Sequence, residues 1–290
     1  MGRIITCKNE DGLGIRFGYQ YAPWLLLDCE GIYSSDVTVY TSDNTMTDGA
    51  TFQGANVKMR NIVLTMEDRT GHRKNRQLLY DVFKPKKPGV FSYEEEGETR
   101  CIDYYVESVE ISTMGSRRKA VVSLLCPDPY FVENFDRRVV IAGWEGLFTF
   151  PHAFSMYGEE FGRKSDELLK TITNDTAADS IGLTISIVAS GDVLNPSVSC
   201  VETQQEIRVG TEARPMQMIL GDEIRITTGT NNKHVYLIRG GVCTEINEYL
   251  DEDSEFIQLA RGDNTFGYTA ESGKEYLSIT LAFRYKFLGV

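Results

Sequence analysis

The sequence predicts a mainly β protein, with an N-terminal α+β half that holds one helix and a C-terminal half that is a β-sandwich. Most segments alternate apolar and polar residues, as strands with one buried face do. Aromatic residues make up 11% of the chain, with 15 Tyr and 14 Phe, and they favour strands. A single segment carries the apolar stripe of a good helix. At 290 residues, the chain is long enough for two domains.

The first half begins with strands, a predicted loop and a change of parity. The segment "DVTVYTS" alternates Val37 and Val39 with polar residues. The next stretch, "SDNTMTDGATFQGA", is polar, contains glycine and is long enough for a functional loop instead of a hairpin turn. In "NVKMRNIVLTMED" the apolar positions change parity between Met59 and Ile62, which predicts a bulge or a strand that crosses between sheets. Strands of this kind lie at the edge of a sheet, and we expect a neighbouring copy of the chain to complete these edges.

The predicted helix lies in "GHRKNRQLLYDVF". Leu78, Leu79, Val82 and Phe83 fall on one face of a helix, and Lys84-Pro85 ends it because proline disfavours helical backbone in the residue before it. Basic side chains cover its polar start, at His72, Arg73, Lys74 and Arg76.

Two strands and an acidic turn follow. "PGVFSYEEEGETRCIDYYVESVEI" predicts a hairpin with its tip at Glu94–Glu98, and "RRKAVVSLLC" predicts one more strand. That strand must end at Cys126, because Pro127 and Pro129 cannot donate to a sheet ladder. We therefore place the seam between the two domains at these prolines.

The second half predicts a β-sandwich. About seven short strands with glycine turns follow one another at roughly 10–20-residue spacing. We expect domains over about residues 1–135 and 136–290, with a linker or arm over about 136–175. The stretch from Phe150 to Ile172 is interpreted as an added loop or arm.

Composition excludes several functions. The net charge is −12, so the chain offers no basic surplus with which to grip nucleic acid. No apolar run approaches the length of a membrane span, and the N-terminus has no secretory signal. The six cysteines form no C-x-x-C pair, which predicts free, mostly buried thiols in a reducing compartment.

The sequence predicts no catalytic, cofactor or metal residues. His72, His152 and His234 lie in separate segments, and no nucleotide-binding loop or nucleophile elbow occurs. "RGD" at Arg261–Asp263 reads as a turn between strands, and Trp24 and Trp144 as core residues. A glycosidase would need two carboxylates across a cleft, which spacing alone does not show in a β protein.

The order of several motifs resembles the distal tail protein family of long-tailed bacteriophages and prophages. "CPDPYF" closes the first half and "FRYKFLGV" ends the chain. Between them lie "GDEIRITT" and two further matches, at Gly191, Asp192, Val193 and Pro196 and at Leu259, Gly262 and Asn264.

The resemblance implies a fold and a role. The fold is a tail-tube-like, ring-forming N-terminal domain, a β-sandwich or barrel with one helix, and a galectin-like C-terminal β-sandwich. The role is that of a structural virion component: a homo-hexameric ring that joins the tail tube to the tip or baseplate and lines the DNA channel. The implied protein partners are the tail tube protein, a tail-associated lysin-like tip protein, the tape measure protein and the receptor-binding protein. DNA passes without specific binding, no membrane is involved, and the ring assembles in the host cytoplasm before it reaches the virion tail.

Two points stay open at this stage. The acidic tip, Glu94, Glu95, Glu96 and Glu98, faces the channel, the next ring or solvent. The alternative function is a carbohydrate-binding β-sandwich module or baseplate adhesin, which explains the aromatics and the sandwich but not the first half.

Overall fold

A computed structural model describes residues 3–18, 23–43, 48–112, 118–142 and 169–290, and the backbone alone of 144–146 and 162–164. The chain divides into two compact units. The first contains Met1–Asn134 and Lys286–Val290, and the second contains Phe135–Tyr285. The predicted mainly β class is confirmed. No helix in the described part of the chain is long and apolar enough to span a membrane.

The elements run in the following order. The first unit contains β1 (Ile4–Asn9), β2 (Gly14–Phe17), β3 (Trp24–Glu30), β4 (Val37–Asp43), β5 (Ala50–Val57), β6 (Arg60–Asp68), α1 (Arg73–Val82), β7 (Pro88–Glu95), β8 (Glu98–Ile111), β9 (Arg118–Cys126) and β10 (Phe131–Glu133). The second unit contains β11 (Arg137–Ala142), β12 (Trp144–Gly146), β13 (Gly162–Lys164), β14 (Leu169–Asn174), β15 (Ser180–Ile181), β16 (Thr184–Ala189), β17 (Val193–Cys200), β18 (Gln205–Arg208), β19 (Gln217–Met218), β20 (Glu223–Gly229), β21 (Asn232–Arg239), β22 (Val242–Glu245), β23 (Leu259–Ala260), β24 (Gly262–Ser272) and β25 (Leu277–Phe283), with short 3-10 turns at Asn247–Tyr249 and Lys274–Tyr276. The last strand, β26 (Lys286–Phe287), belongs to the first unit.

The main sheet of the first unit has nine antiparallel strands. Its order is β2-β1-β7-β8-β9-β6-β3, and β10 pairs with both β8 and β26. Alternate residues of these strands point to a common core that includes Ile62, Leu64, Phe91 and Val122. The alternation that predicted the strands is thus the alternation between core and opposite face.

The helix packs on this core as predicted. Leu79, Val82 and Phe83 are buried, and Leu78 is partly buried against the same cluster. The turn before the helix is fixed by Asp68, whose Oδ1 accepts bonds from Thr70, Gly71 and Asn75. The indole Nε1 of Trp24 donates to the backbone oxygen of Asn75 at 3.2 Å, which adds a second anchor.

The stretch predicted as a loop is in part a strand. β4 and β5 pair with each other in a separate two-stranded sheet, from Val37 opposite Val57 to Asp43 opposite Ala50. The loop prediction is therefore wrong for residues 42–43 and 50–55, because these polar and glycine residues lie in strands that have almost no buried face. The parity change marks the passage from this sheet at Val57 to the main sheet at Arg60, the second of the two predicted alternatives.

β9 ends at Cys126, as the two prolines predicted. The chain then continues within the first unit, because Phe131–Glu133 pairs with β8 and β26. The passage to the second unit therefore lies after Asn134, not at Pro127 and Pro129. The last five residues, expected in the second domain, return to the first unit because β26 completes the ladder on β10.

Two larger sheets build the second unit. One has the order β11-β25-β16-β20-β21-β22, and the other has the order β14-β24-β17-β18 with β19 beside β17. Both bury alternate residues, such as Ile185 and Ile187 in the first and Val198 and Cys200 in the second. This pattern fits the predicted β-sandwich. The described part of the stretch Phe150–Ile172 contains backbone of β13 and the start of β14, and the rest lies outside the described residues.

Candidate assembly surfaces

Among the described residues of the first unit, the hairpin of β4 and β5 carries a group of well-exposed apolar side chains. Val37, Val39 and Tyr40 on β4 are each about half exposed or more, Phe52 on β5 is 66% exposed and Met59 is 60% exposed. A two-stranded hairpin alone is marginally stable in water, and exposed apolar side chains on it make it a candidate interaction surface. We call these residues the hairpin surface.

The root of the hairpin is held by a buried arginine. Arg60, the first residue of β6, is 4% exposed and donates to the backbone oxygens of Gly31 and Ser34, which precede β4. It also donates to the backbone oxygens of Pro129, at 2.9 Å, and of Leu288. Burial lowers the pKa of Arg60, but an arginine stays charged at neutral pH. We call this arrangement the Arg60 clasp.

The clasp depends on local backbone geometry. Gly31 has a φ of +83°, and a Cβ there would collide with the backbone oxygen of Asn61. Phe131 closes the other side, with its ring centroid 5.0 Å from the Arg60 guanidinium carbon. The segments before β4, before β10 and after β26 thus meet at one cation.

Most of the negative charge of the acidic tip is balanced by arginines of the first unit. Glu95 and Glu98 pair across a two-residue turn, in which Glu96 and Gly97 have φ values of 54° and 93°. Three of the four glutamates form ion pairs within the first unit: Glu94 with Arg16 at 3.6 Å, Glu95 with Arg3 at 2.7 Å and Glu98 with Arg100 at 3.7 Å. Of the four, only Glu96 has no ion pair with a described residue.

A polar cleft of about 470 Å³ lies beside this tip. Its lining consists of Tyr93, Glu95, Glu96, Glu98, Arg100 and Val290. Tyr93 is buried, which raises the pKa of its hydroxyl, and it donates to Glu95 Oε2 at 2.8 Å. The hydrogen bond from Arg3 lowers the pKa of Glu95, so this carboxylate stays charged. Arg100 also donates to the backbone oxygen of Gly289 at 2.6 Å, which ties the cleft to the C-terminal residues.

The described residues contain no group of three His, Cys, Asp or Glu side chains placed to hold a metal ion. His72 precedes the helix, and His234 Nδ1 lies 2.7 Å from Glu245 Oε1. His152 and the Trp144 side chain lie outside the described residues, whereas Trp24 is buried as predicted.

Most of the cysteine thiols are buried and contribute to packing. Cys7, Cys101, Cys126 and Cys200 are buried, Cys29 is half-buried and Cys243 is exposed, all as free cysteines. Burial raises the pKa of Cys29 and of Cys126 to about 12, so both remain neutral thiols.

The two motifs of the second half lie mostly in strands, "GDEIRITT" in β20 and "RGD" at the start of β24. "RGD" lies at the start of β24, where Gly262 has a φ of 91° and the buried Asn264 donates to the backbone oxygens of Ala260 and Gly262. In "GDEIRITT", Asp222 accepts three bonds from Arg239, the closest at 2.6 Å. The turn prediction is therefore wrong for Gly262 and Asp263, which lie in β24 opposite Asn174 and Thr173, and only Arg261 lies between β23 and β24.

Sequence reasoning missed the hairpin surface and the Arg60 clasp. A polar strand with exposed apolar residues has no inward face, so its pattern does not separate it from a loop. A lone arginine at the start of a strand gives no sequence signal, because its four acceptors are backbone oxygens from distant segments.

The fold has counterparts among solved protein structures. No protein-family model and no curated protein sequence matches the chain. Among solved structures, the chain is similar to the Dit protein of phage SPP1, described as a paradigm of the hub adsorption apparatus in phages that infect Gram-positive bacteria. Identity is 15%, coverage is 98% of this chain and 99% of that one, and the TM-score is 0.67.

Chains of the phage P2 baseplate in its activated conformation are also similar. The structure with Ca gives 11% identity and the structure with Sr gives 13%, each with 100% coverage of both chains and a TM-score of 0.58. The resemblance to distal tail proteins predicted from motif order is therefore confirmed for the fold over the whole chain.

Proposed function

We propose that this chain is the distal tail protein of a phage or prophage tail, a structural hub without catalytic activity. The observation that carries the proposal is the similarity to the SPP1 Dit hub protein over 98% of this chain and 99% of that one. A match that spans both units supports the role of the whole hub more than that of an isolated binding module.

In this proposal, six copies close a ring that joins the tail tube to the tip or baseplate and surrounds the DNA channel. The hairpin surface supports ring closure, because a neighbouring copy would cover its apolar residues and complete its unpaired edges. The net charge of −12 suits a conduit for DNA, since like charge keeps a polyanion from adhering to the wall. The second unit is then the galectin-like domain.

The proposed partners follow from this position. They are the tail tube protein on one side and, on the other, a tail-associated lysin-like tip protein, with the tape measure protein and a receptor-binding protein as further contacts. The site of action is the virion tail, after assembly in the host cytoplasm.

Solution mass tests the ring. The purified chain, measured by light scattering over a range of concentrations and imaged by negative stain, should give a closed six-membered ring or enter one as concentration rises. A chain that stays monomeric at high concentration and is absent from tail particles overturns the proposal. A monomer that binds glycans supports the carbohydrate-binding module instead.

A further inference from the structure

A cluster of basic side chains stands out on this acidic chain. The turn before α1 and the first turn of the helix contain Arg69, His72, Arg73, Lys74 and Arg76, five basic residues in eight. All five side chains are exposed, and none forms an ion pair with a described residue. We call this segment, Arg69–Arg76, the basic turn.

The charge of the basic turn is unfavourable for the helix that it begins. The N-terminus of a helix carries a partial positive charge, so acidic side chains stabilise it and basic ones do not. The first turn of α1 contains no acidic residue. No carboxylate follows Arg73, Lys74 or Arg76 at the spacing that would form a pair along the helix. Helix stability therefore does not explain these side chains.

The basic turn is also held rigidly. Four bonds to Asp68 Oδ1 and the bond from Trp24 to the Asn75 backbone fix the turn and the start of the helix. Arg69 N donates to the backbone oxygen of Pro23 at 3.3 Å. A fixed array of charges loses little backbone freedom when it binds, which is what a docking surface requires.

The second unit carries a surface of opposite charge. The segment Glu248–Glu255 contains five carboxylates in eight residues, at Glu248, Asp251, Glu252, Asp253 and Glu255. Asp251 is half-buried, the others are exposed, and none forms an ion pair with a described residue. Its backbone is fixed on β18, since Asp251 N donates to the Arg208 oxygen and Glu255 N to the Glu206 oxygen. We call this segment the acidic turn.

We infer that the basic turn of one copy docks on the acidic turn of a second copy. The argument is charge complementarity: two mostly exposed arrays of opposite sign, each on a fixed backbone and without an ion pair to a described residue, lie on one chain that is proposed to form a ring. A contact between two different patches repeats head to tail and is the kind that closes rings. A protein surface is favoured over DNA because the chain as a whole repels a polyanion. The inference rests on the proposed function.

Charge reversal of the basic turn tests it. In the variant R73E/K74E, acidic residues enter the first helical turn, so the melting temperature should be equal or higher. Self-association should nevertheless weaken by about tenfold or more, because like charges then face each other. R138E/R261E is the matched control: it changes the net charge equally at two exposed positions elsewhere, and its association should stay near that of the wild type.

Reciprocal reversal tests the partner surface. E252K/D253K should weaken association similarly, and the four substitutions combined in one chain should restore it to within about threefold of wild type, as a coupled pair requires. If R73E/K74E weakens self-association and the combined variant does not restore it, the acidic turn is not the partner surface. Unchanged association in an assembling chain overturns the contact alone, whereas a monomeric wild type overturns the ring and the contact together. The contact is also overturned if the wild type binds DNA, R73E/K74E does not, and both variants associate equally with a second copy of the chain.

Discussion

At the scale of single residues, the Arg60 clasp makes the sharpest prediction. Replacing Arg60 with methionine keeps an unbranched apolar stem but removes the guanidinium, which leaves four backbone oxygens without their donor. We expect the free energy of unfolding of the first unit to fall by about 2–4 kcal/mol. Urea denaturation measures the change, with the exposed Arg138→Met as control. A loss below about 0.5 kcal/mol would show that the clasp contributes little.

Asp68 predicts a pH dependence. Burial alone would raise the pKa of Asp68, but bonds from Asn75, Thr70 and Gly71 outweigh it and lower that pKa. A lowered pKa in the folded state means that the carboxylate stabilises the fold above its unfolded pKa of about 3.9, and that this contribution is lost as pH falls through the folded pKa. The difference in unfolding free energy between wild type and Asp68→Asn should therefore be about 1–3 kcal/mol at pH 6 and shrink below about pH 4. Asp48→Asn, at an exposed position, is the matched control.

The acidic tip needs a more selective probe than reversal of all four glutamates. Lysines at Glu94, Glu95 and Glu98 would face Arg16, Arg3 and Arg100, so a failed assembly would not identify a channel role. Glu96→Lys avoids these pairs. If the tip lines the channel, particles with this variant should assemble normally and eject DNA more slowly at low salt, with recovery at high salt, because charges are screened within about 8 Å at physiological salt. Unchanged ejection would remove the tip from the channel.

At the scale of elements, the hairpin surface separates assembly from folding. Val39→Lys and Phe52→Lys change side chains that are mostly exposed in the single chain. Each should leave the stability of the monomer within about 0.5 kcal/mol of wild type and reduce ring formation. Differential scanning fluorimetry and light scattering measure the two effects. The control is Leu220→Lys in the second unit, which is also exposed. A normal ring with both hairpin variants would mean that neighbours do not cover this surface.

The elements also show how far the sequence predicts the fold. The helix, the acidic hairpin and the end of β9 followed from local rules, because an apolar stripe, a short turn and a proline act over a few residues. β5 did not, because it has no buried face. The three arginines that neutralise the acidic tip lie on or beside β1, β2 and β8, and only the strand order brings them to one place.

At the scale of the whole molecule, the second unit is an insertion into the first. Within the first unit, Val132 on β10 lies opposite Lys286 on β26. Within the second unit, Arg137 on β11 lies opposite Phe283 on β25. The chain thus leaves the first unit from β10 and returns to it on the adjacent strand β26, and the second unit begins and ends on the paired strands β11 and β25. An insertion between two adjacent strands leaves the host fold intact. No sequence pattern predicted this return, because β26 contributes only two residues to its ladder.

The insertion predicts that each unit folds without the other. Replacing Phe135–Tyr285 with a short glycine-containing turn joins β10 to β26 as a hairpin, and this shortened chain should fold cooperatively. The fragment that ends at Asn134 is the matched control. It lacks the Leu288 acceptor of Arg60, the Gly289 acceptor of Arg100 and the Phe287 ring that stacks on Arg100 at 4.1 Å. We therefore expect it to be less stable than the joined chain by about 2–4 kcal/mol, measured by urea denaturation. Equal stability would show that residues 286–290 are not part of the first unit's fold. Failure of the joined chain to fold, with an intact fragment of Phe135–Tyr285, would show that the first unit depends on the segment it encloses.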